Sequence, residues 1–477
     1  MRRLAGIACL ALLGCAPTVI WRGRSPDRST SVIVTEDGAR LRLAIVASST
    51  PPVGIDGAAA RTYDTIAFDR LAWSPRGVFA PASRDGAWWM IDGPDERGPF
   101  IAIGEVIVSG DHTAFVAQGP AGWVAHVDDH EGSAFDAIVE GLLLDPEHGS
   151  VAYVVSRGGH EHAVHDDAIG PACEVVALET LGGKGRMLAY VDRGARDRLL
   201  VDHVEQAIFD RVLELVVASD EPHWAALVSV GDASVLVREG VILATAPFLT
   251  HLRVSDDGAH VACLSPAADG ASIDLLVDGA HIAHHRRIDG ERLAFVPGDD
   301  RVVFVSEDSQ GMRVTLDGTD GERYEAIEGP VFAPRRAGWI GRRHEQSEIV
   351  IEGTLIATEE WAGSLALARD ADRYAYVART NGERFVVTPR GRWPMPRLFV
   401  DTLVLGDDGL HWAAVVPDMA ARRLEVWVDG ERSVVLDDHE LGGAIAIDEG
   451  RTLRQVVREV VEGELARVTA STSADHR

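Results

Sequence analysis

A strand-like run closing on an Asp-Gly-type turn recurs at Gly57, Gly93, Asp129, Asp167, His203, Gly240, Gly279, Gly318, Gly353, Gly391 and Gly430. Successive marks lie 35 to 39 residues apart, so the structural unit is about 37 residues, the scale of repeat architectures. A second mark keeps a near-constant offset from the first: Tyr63-Asp64, Phe135-Asp136, Phe209-Asp210 and Tyr324-Glu325. Two marks in register restrict the fold to an array of like units, each of which needs neighbours to cover its apolar faces.

The unit is clearest over residues 291–327, where four runs rich in Val, Phe, Leu and Tyr are separated by Gly/Asp clusters. That pattern predicts four short strands joined by tight turns. The middle runs, such as Val302–Val305 and Ala152–Val155, are continuously apolar, which predicts strands covered on both faces. A four-stranded sheet stacked between two like sheets supplies that cover, and radial stacking of such sheets is a β-propeller. The expected class is therefore all-β. Eleven marked units and a terminal one over residues 444–471 make about twelve, more than the roughly eight blades of a single ring. Two tandem propellers are the expectation, over 31–247 and 248–477; no Pro/Ser-rich linker marks the join at Phe248, so unequal splits or a single oversized ring are the alternatives.

The phrase SDDGAHVA at Ser255 to Ala262, with relatives at Asp370 to Val377 and Asp145 to Val154, resembles the WD-like repeats of TolB-type bacterial propellers. The resemblance runs from Ser31 to Ala470 and implies the propeller fold rather than an activity. The separate N-terminal α/β domain of TolB-type proteins has no counterpart in this sequence. Several TolB-like propellers precede a serine-hydrolase domain, but no G-x-S-x-G elbow occurs here, and neither a P-loop nor an H-E-x-x-H helix is found. No cofactor is expected.

The chain begins MRRLAGIACLALLGCAPT. Arg2 and Arg3 form a positive n-region, Leu4 to Leu13 a short apolar h-region, and residues 1–14 read as a secretion signal. The ending LLGC resembles the lipobox of bacterial lipoproteins, which implies a lipidated Cys15 as the first mature residue and a tether or closing strand over 15–30. The alternative is an ordinary cleaved signal with an incidental cysteine. Ala16 resembles the pattern of outer-membrane lipoproteins, so the implied address is the cell envelope, lipid-anchored at the outer membrane. Cys173 and Cys263 remain, in non-adjacent units; free buried thiols are favoured over a disulfide.

Against 46 Lys and Arg stand 74 Asp and Glu, a net charge of −28. That excess repels phosphate backbones, so no nucleic-acid partner is expected. A cationic, neutral or Ca²⁺-bridged partner fits better. The densest ionisable cluster is GGHEHAVHDD, residues 158–167. Strand alternation would put His160 and His162 on one face with Asp166 or Asp167 completing a metal site after the turn, whereas the competing reading is a solvated loop. HVDDHEG, with His126, Asp128, Asp129, His130 and Glu131, occupies the corresponding turn of the preceding unit, which points to a shared surface. Asp317, Asp320 and Glu322 offer oxygen ligands to Ca²⁺, but Asp-Gly is equally what a tight turn needs. The tryptophans recur at strand positions and are read as core packing rather than a sugar-stacking surface.

Two local expectations concern the ends. Leu453, Val456, Val457, Val460 and Val461 have helical spacing, yet the unit alignment places them in a strand. The last unit lacks a fourth strand, and Thr18–Trp21 is expected to supply it, closing a ring through the two chain ends. The expected function is a lipid-anchored envelope module binding or scaffolding a protein, peptide or glycan. The alternative is a propeller-axis enzyme, a hydrolase or lyase.

Overall fold

The computed structural model describes residues 18–24, 30–37, 40–47 and 61–473, the last span with short breaks. Cys15 and the signal segment lie outside the described residues, as does the first Asp-Gly mark at Gly57. The described chain is all-β: its strands form twelve antiparallel sheets in sequence order, ten of them four-stranded. The second sheet has its first strand in two pieces, Thr65–Ile66 and Ala72–Ser74, and the last, His439–Ser473, has three strands. Among the described residues no helix is long and apolar enough to cross a membrane.

Each four-residue apolar run becomes the second strand of a sheet and is covered on both faces. Val151–Arg157 is buried over its first five residues, and so is Trp224–Val230. The core is accordingly divided among the gaps between sheets. One apolar cluster fills every gap from the second sheet to the eleventh. This is how β-propeller blades pack. The gap between the sixth and seventh sheets, at residues 247–248, is filled like the others: Leu227 and Leu236 meet Leu249, Leu252, Val261 and Cys263 there.

The first strands of successive sheets are also stapled to one another by charged side chains that reach a neighbour's main chain. Glu214 accepts the His251 and Leu252 N–H groups at 2.8 and 2.7 Å. Arg253 donates to the Leu293 and Gly290 carbonyls, Arg292 to the Ile327 carbonyl, and Glu328 accepts the Ser364 N–H.

Both sequence marks turn out to be braces. The Asp or Glu that opens the third turn, at Asp128, Asp166, Asp202, Asp278, Glu352 and Asp429, has φ of 46 to 52°, the left-handed region that Asp tolerates better than most residues. Its carboxylate accepts the N–H at the start of the second strand, from Thr113, Val151, Leu188, Val261, Ala337 and Trp412, at 2.6 to 3.1 Å. A histidine joins the brace at His112, His260 and His411. The second mark works at the opposite end of the sheet. Asp64, Asp136, Asp210, Glu325 and Glu360 accept N–H groups of the turn between second and third strands.

The segment over residues 452–461 is strand; cross-strand pairing with Glu464–Ser473 overrides its helical spacing. Thr18–Arg24 is likewise a strand, but it pairs with Thr30–Asp37 in the first sheet and not with the last sheet. A hairpin with the adjacent segment closes a short loop, whereas joining the last sheet would close the whole chain. The two chain ends nonetheless meet, since Thr18–Arg24 lies beside Glu464–Ser473. The first sheet therefore begins one strand earlier than its repeat pattern suggests, and Thr30–Asp37 is its second strand.

Candidate functional site

In an up-and-down sheet the first and third turns lie at one end, and the braces above tie them together there. That end carries two clefts. One, of about 470 Å³, is lined by first turns of the sixth to ninth sheets: Asp220, Asp256, Asp257, Asp299, Asp300 and Arg335. Much of its acidity serves the fold, because Asp256 accepts the Ser219 hydroxyl and the Gly298 N–H, and Asp299 pairs with Arg301 at 2.7 Å. Asp257 is held below the usual carboxylate range by hydrogen bonds from the Ser255 hydroxyl and the Ala259 N–H.

The other cleft, of about 610 Å³, opens between the third sheet (Ala102–Phe135) and the fourth (Ala137–Ile169). Both histidine-rich turns identified in the sequence line it, through Asp128, Asp129, His130, Asp166 and Asp167, together with Gly132, His148 and Tyr153. His130 Nε2 meets Asp167 Oδ1 at 2.9 Å across the gap. Asp167 is 69% exposed in its side chain, so its other oxygen is open to the cleft.

Tyr153 forms the floor. Its side chain is 1% exposed, and among the described residues its phenol makes no hydrogen bond. The other large buried tyrosines all do: Tyr63 donates to Glu96, Tyr324 to Glu348, Tyr376 to Glu359, and Tyr190 meets His203 Nδ1. Burial first, then the Asp167 and Asp166 charges, push the Tyr153 phenol up to about 12, so it stays protonated at neutral pH.

Comparison with the two flanking gaps explains why this one is open. Strand register makes Phe115, Tyr153 and Tyr190 equivalent, and likewise Asp129, Asp167 and His203. Counting from the third turn makes Arg97, Gly132 and Gly170 equivalent. Between the second and third sheets, Arg97 fills the gap with its guanidinium: Nη2 donates to Asp129 Oδ1 at 2.9 Å and to Asp92 at 3.1 Å, and Nη1 donates to the Asp128 carbonyl. Arg76 pairs with the same Asp129, which holds that carboxyl below its ordinary value. Between the fourth and fifth sheets, His203 fills the gap, touching Tyr190 and the Ala168 carbonyl. Between the third and fourth sheets, Gly132 has no side chain and Asp167 turns away to His130. A Cβ at Gly132 would lie 3.3 Å from the Tyr153 hydroxyl, so the glycine holds the floor uncovered.

The proposed metal ligands are not brought together. His160 opens the third strand His160–His165 at one end of the sheet, Asp166 follows it at the other, and His162 bonds the Gly170 carbonyl at 2.9 Å. Six strand residues separate His160 from Asp166 by about 20 Å, and Asp166 is committed to the Val151 N–H. Alternation put the two histidines on one face, but the turn that was to supply the carboxylate lies a full strand away. Asp320 pairs with Arg313 and Thr315, and Glu322 with Arg343, so the Ca²⁺ alternative gives way to turn and pairing roles. Among the described residues no three His, Cys, Asp or Glu side chains are grouped to hold a metal.

His126 is core: it stacks on Phe115 at 4.5 Å, and burial lowers its pKa. Trp224, Trp339 and Trp412 are buried in the gaps between sheets. Cys173 and Cys263 are free and buried, their thiols pushed by burial up to about 11 and about 12. Tyr153 was missed by sequence reading. The signal available was the aligned set of Arg97, Gly132 and Gly170, in which a large side chain gives way to none.

No family model matches the chain, and no curated protein matches it by sequence. Among solved structures it aligns with the β-propeller domain of the Trilobed protease from Pyrococcus furiosus, at 12% identity over 63% of this chain and 92% of that one, TM-score 0.28. It also aligns with an oligogalacturonate lyase from Vibrio parahaemolyticus, at 10% identity over 71% and 98%, TM-score 0.28. A third is Hsv2 of Kluyveromyces lactis, at 10% over 72% and 99%, TM-score 0.25. Likeness at this level adds nothing to what the sheets themselves establish, an all-β chain of propeller blades.

Proposed function

We propose that the chain is an exported, lipid-anchored binding module of the cell envelope, whose propeller surface takes a protein or peptide partner carrying positive charge. The observation that carries this reading is the turn-bearing end of the array, where one open cleft carries four aspartates and another five on a chain of net charge −28. Low-dielectric walls of one sign concentrate counter-charge, so such a surface steers cationic partners and repels anionic ones. The test is calorimetric titration with a peptide series of graded net charge, at low and at high salt. Affinity should rise with positive charge and fall with salt; affinity indifferent to both would sink the reading. The anchor rests on Arg2, Arg3 and the LLGC ending at Cys15. A Cys15→Ser chain should lose metabolic fatty-acid label and membrane association, and label retained by that variant would count against an anchor there.

A further inference from the structure

We infer that the cleft between the third and fourth sheets is a guanidinium receptor: it accepts an arginine side chain of a partner, held between Asp167 and the uncovered phenol of Tyr153. The inference rests on the binding role proposed above and assigns it a place and a ligand chemistry.

Three observations converge. First, the molecule already contains the bound form of the interaction, one gap earlier. There the guanidinium of Arg97 occupies the space between sheets and grips Asp129, the residue equivalent to Asp167. Gly132 stands where Arg97 stands, so the gap between the third and fourth sheets keeps the equivalent carboxylate, Asp167 on the fourth, without the internal ligand; Val127 takes the place of Asp92, the guanidinium's other carboxylate. Second, the Tyr153 side chain is buried but for its tip, and its phenol, which has no hydrogen-bond partner among the described residues, lines the cleft, while its equivalent Tyr190 is satisfied by His203. The phenol oxygen is thus left for a partner that enters the cleft. Third, the charge is right. Among the described residues no Lys or Arg lines the cleft, and neither Asp166 nor Asp167 pairs with an arginine. His130 holds one oxygen of Asp167 and leaves the other for a donor entering from solvent.

A planar fork of N–H donors suits this arrangement better than an ammonium. It can reach the Asp167 carboxylate and the phenol oxygen at once, with fixed geometry. A neutral sugar can donate hydroxyls to the phenol and to Asp167, but it brings no positive charge to offset the aspartates around it.

The experiment is calorimetric titration of the full chain with an acetylated Gly-Ser-Arg-Ser-Gly amide and with the same peptide carrying citrulline, which keeps the shape and removes the charge. The arginine peptide should bind about tenfold or more tightly than its citrulline twin. Asp167→Asn should remove most of that difference. Tyr153→Phe, which matches Phe115 in the preceding sheet and so keeps the packing, should weaken binding about threefold. Equal binding of the two peptides overturns the inference. Arginine binding that survives Asp167→Asn but falls on Asp300→Asn also overturns it, while leaving an acidic binding face intact. Absence of binding by any basic peptide removes both the inference and the reading beneath it. Displacement of the peptide by a neutral oligosaccharide would show a glycan site instead.

Discussion

Leu227→Ala is expected to lower the free energy of unfolding by about 2–5 kcal/mol, the range for emptying a close-packed leucine site. Leu227 is fully buried in the sixth sheet, among Leu249, Leu252, Val261 and Cys263, which arrive from the seventh. With Ala225 and Leu236 of its own sheet, the walls of the site belong to two sheets, each fixed by its own ladder, so they have little freedom to collapse into the cavity. Leu213, on the same sheet but 46% exposed, is the control, and its alanine variant should stay within about 0.5 kcal/mol of the parent. Urea denaturation followed by tryptophan fluorescence measures both. Equal midpoints for the two variants would contradict the packing described across residues 247–248. The same experiment bears on how the array is divided. If the chain forms two rings that meet at Phe248, this cluster is the contact between them, and emptying it should separate one unfolding transition into two.

Asp197→Ala should rank next. This carboxylate is 0% exposed and accepts three hydrogen bonds: from Arg193 at 2.5 Å, Arg211 at 2.8 Å and the Val212 N–H at 2.9 Å. It thereby fixes the first strand of the sixth sheet to the end of the fifth. Removing one partner of a buried ionic group costs about 3–5 kcal/mol; the lower end applies here, because Arg193 and Arg211 keep access to water. The pH dependence has a definite sign. Burial alone would raise the Asp197 carboxyl, but the Val212 N–H and the two guanidinium groups overcome it and hold the carboxyl below its ordinary value. A depressed folded-state pKa contributes stability that is complete above the unfolded value, about 3.9, and is lost as pH falls through the folded value. The gap in stability between parent and variant should therefore be constant near neutrality and shrink in acid below about pH 4. A gap that widened on acidification would contradict the assigned charge state.

The period and the apolar second strands were enough to specify sheets, stacking and the all-β class, because both are local consequences of chain pattern. Val151–Val155 reads as a strand covered twice, and it is. The Asp-Gly marks were legible as turns. Their second job was not, since the N–H that Asp128 or Asp278 accepts lies on a different strand, some 15 to 17 residues away. The pairing of Thr18–Arg24 also lay beyond the pattern, because an edge strand can serve either neighbour and only loop length favours one. At the candidate site, the two histidine-rich turns were correctly seen as one surface. The ligand set drawn from them joined His160 to Asp166 across the length of a strand. What the sequence concealed was a difference between equivalents: Arg97, Gly132 and Gly170 look unremarkable singly, and they acquire meaning only when register places each beside Asp129, Asp167 and His203.

The staples between first strands have an evolutionary consequence. Glu214, Arg253, Arg292 and Glu328 each bind peptide groups of the following sheet, Glu214 adding the Thr250 hydroxyl. Every unit offers peptide groups in the same positions, whatever its sequence. A copied unit inserted anywhere in the series would thus find its docking contacts already present, with no compensating substitution needed in its new neighbour. Growth of such an array by copying is then limited by geometry and not by recognition, which suits a chain whose described residues form twelve sheets from units of unlike sequence.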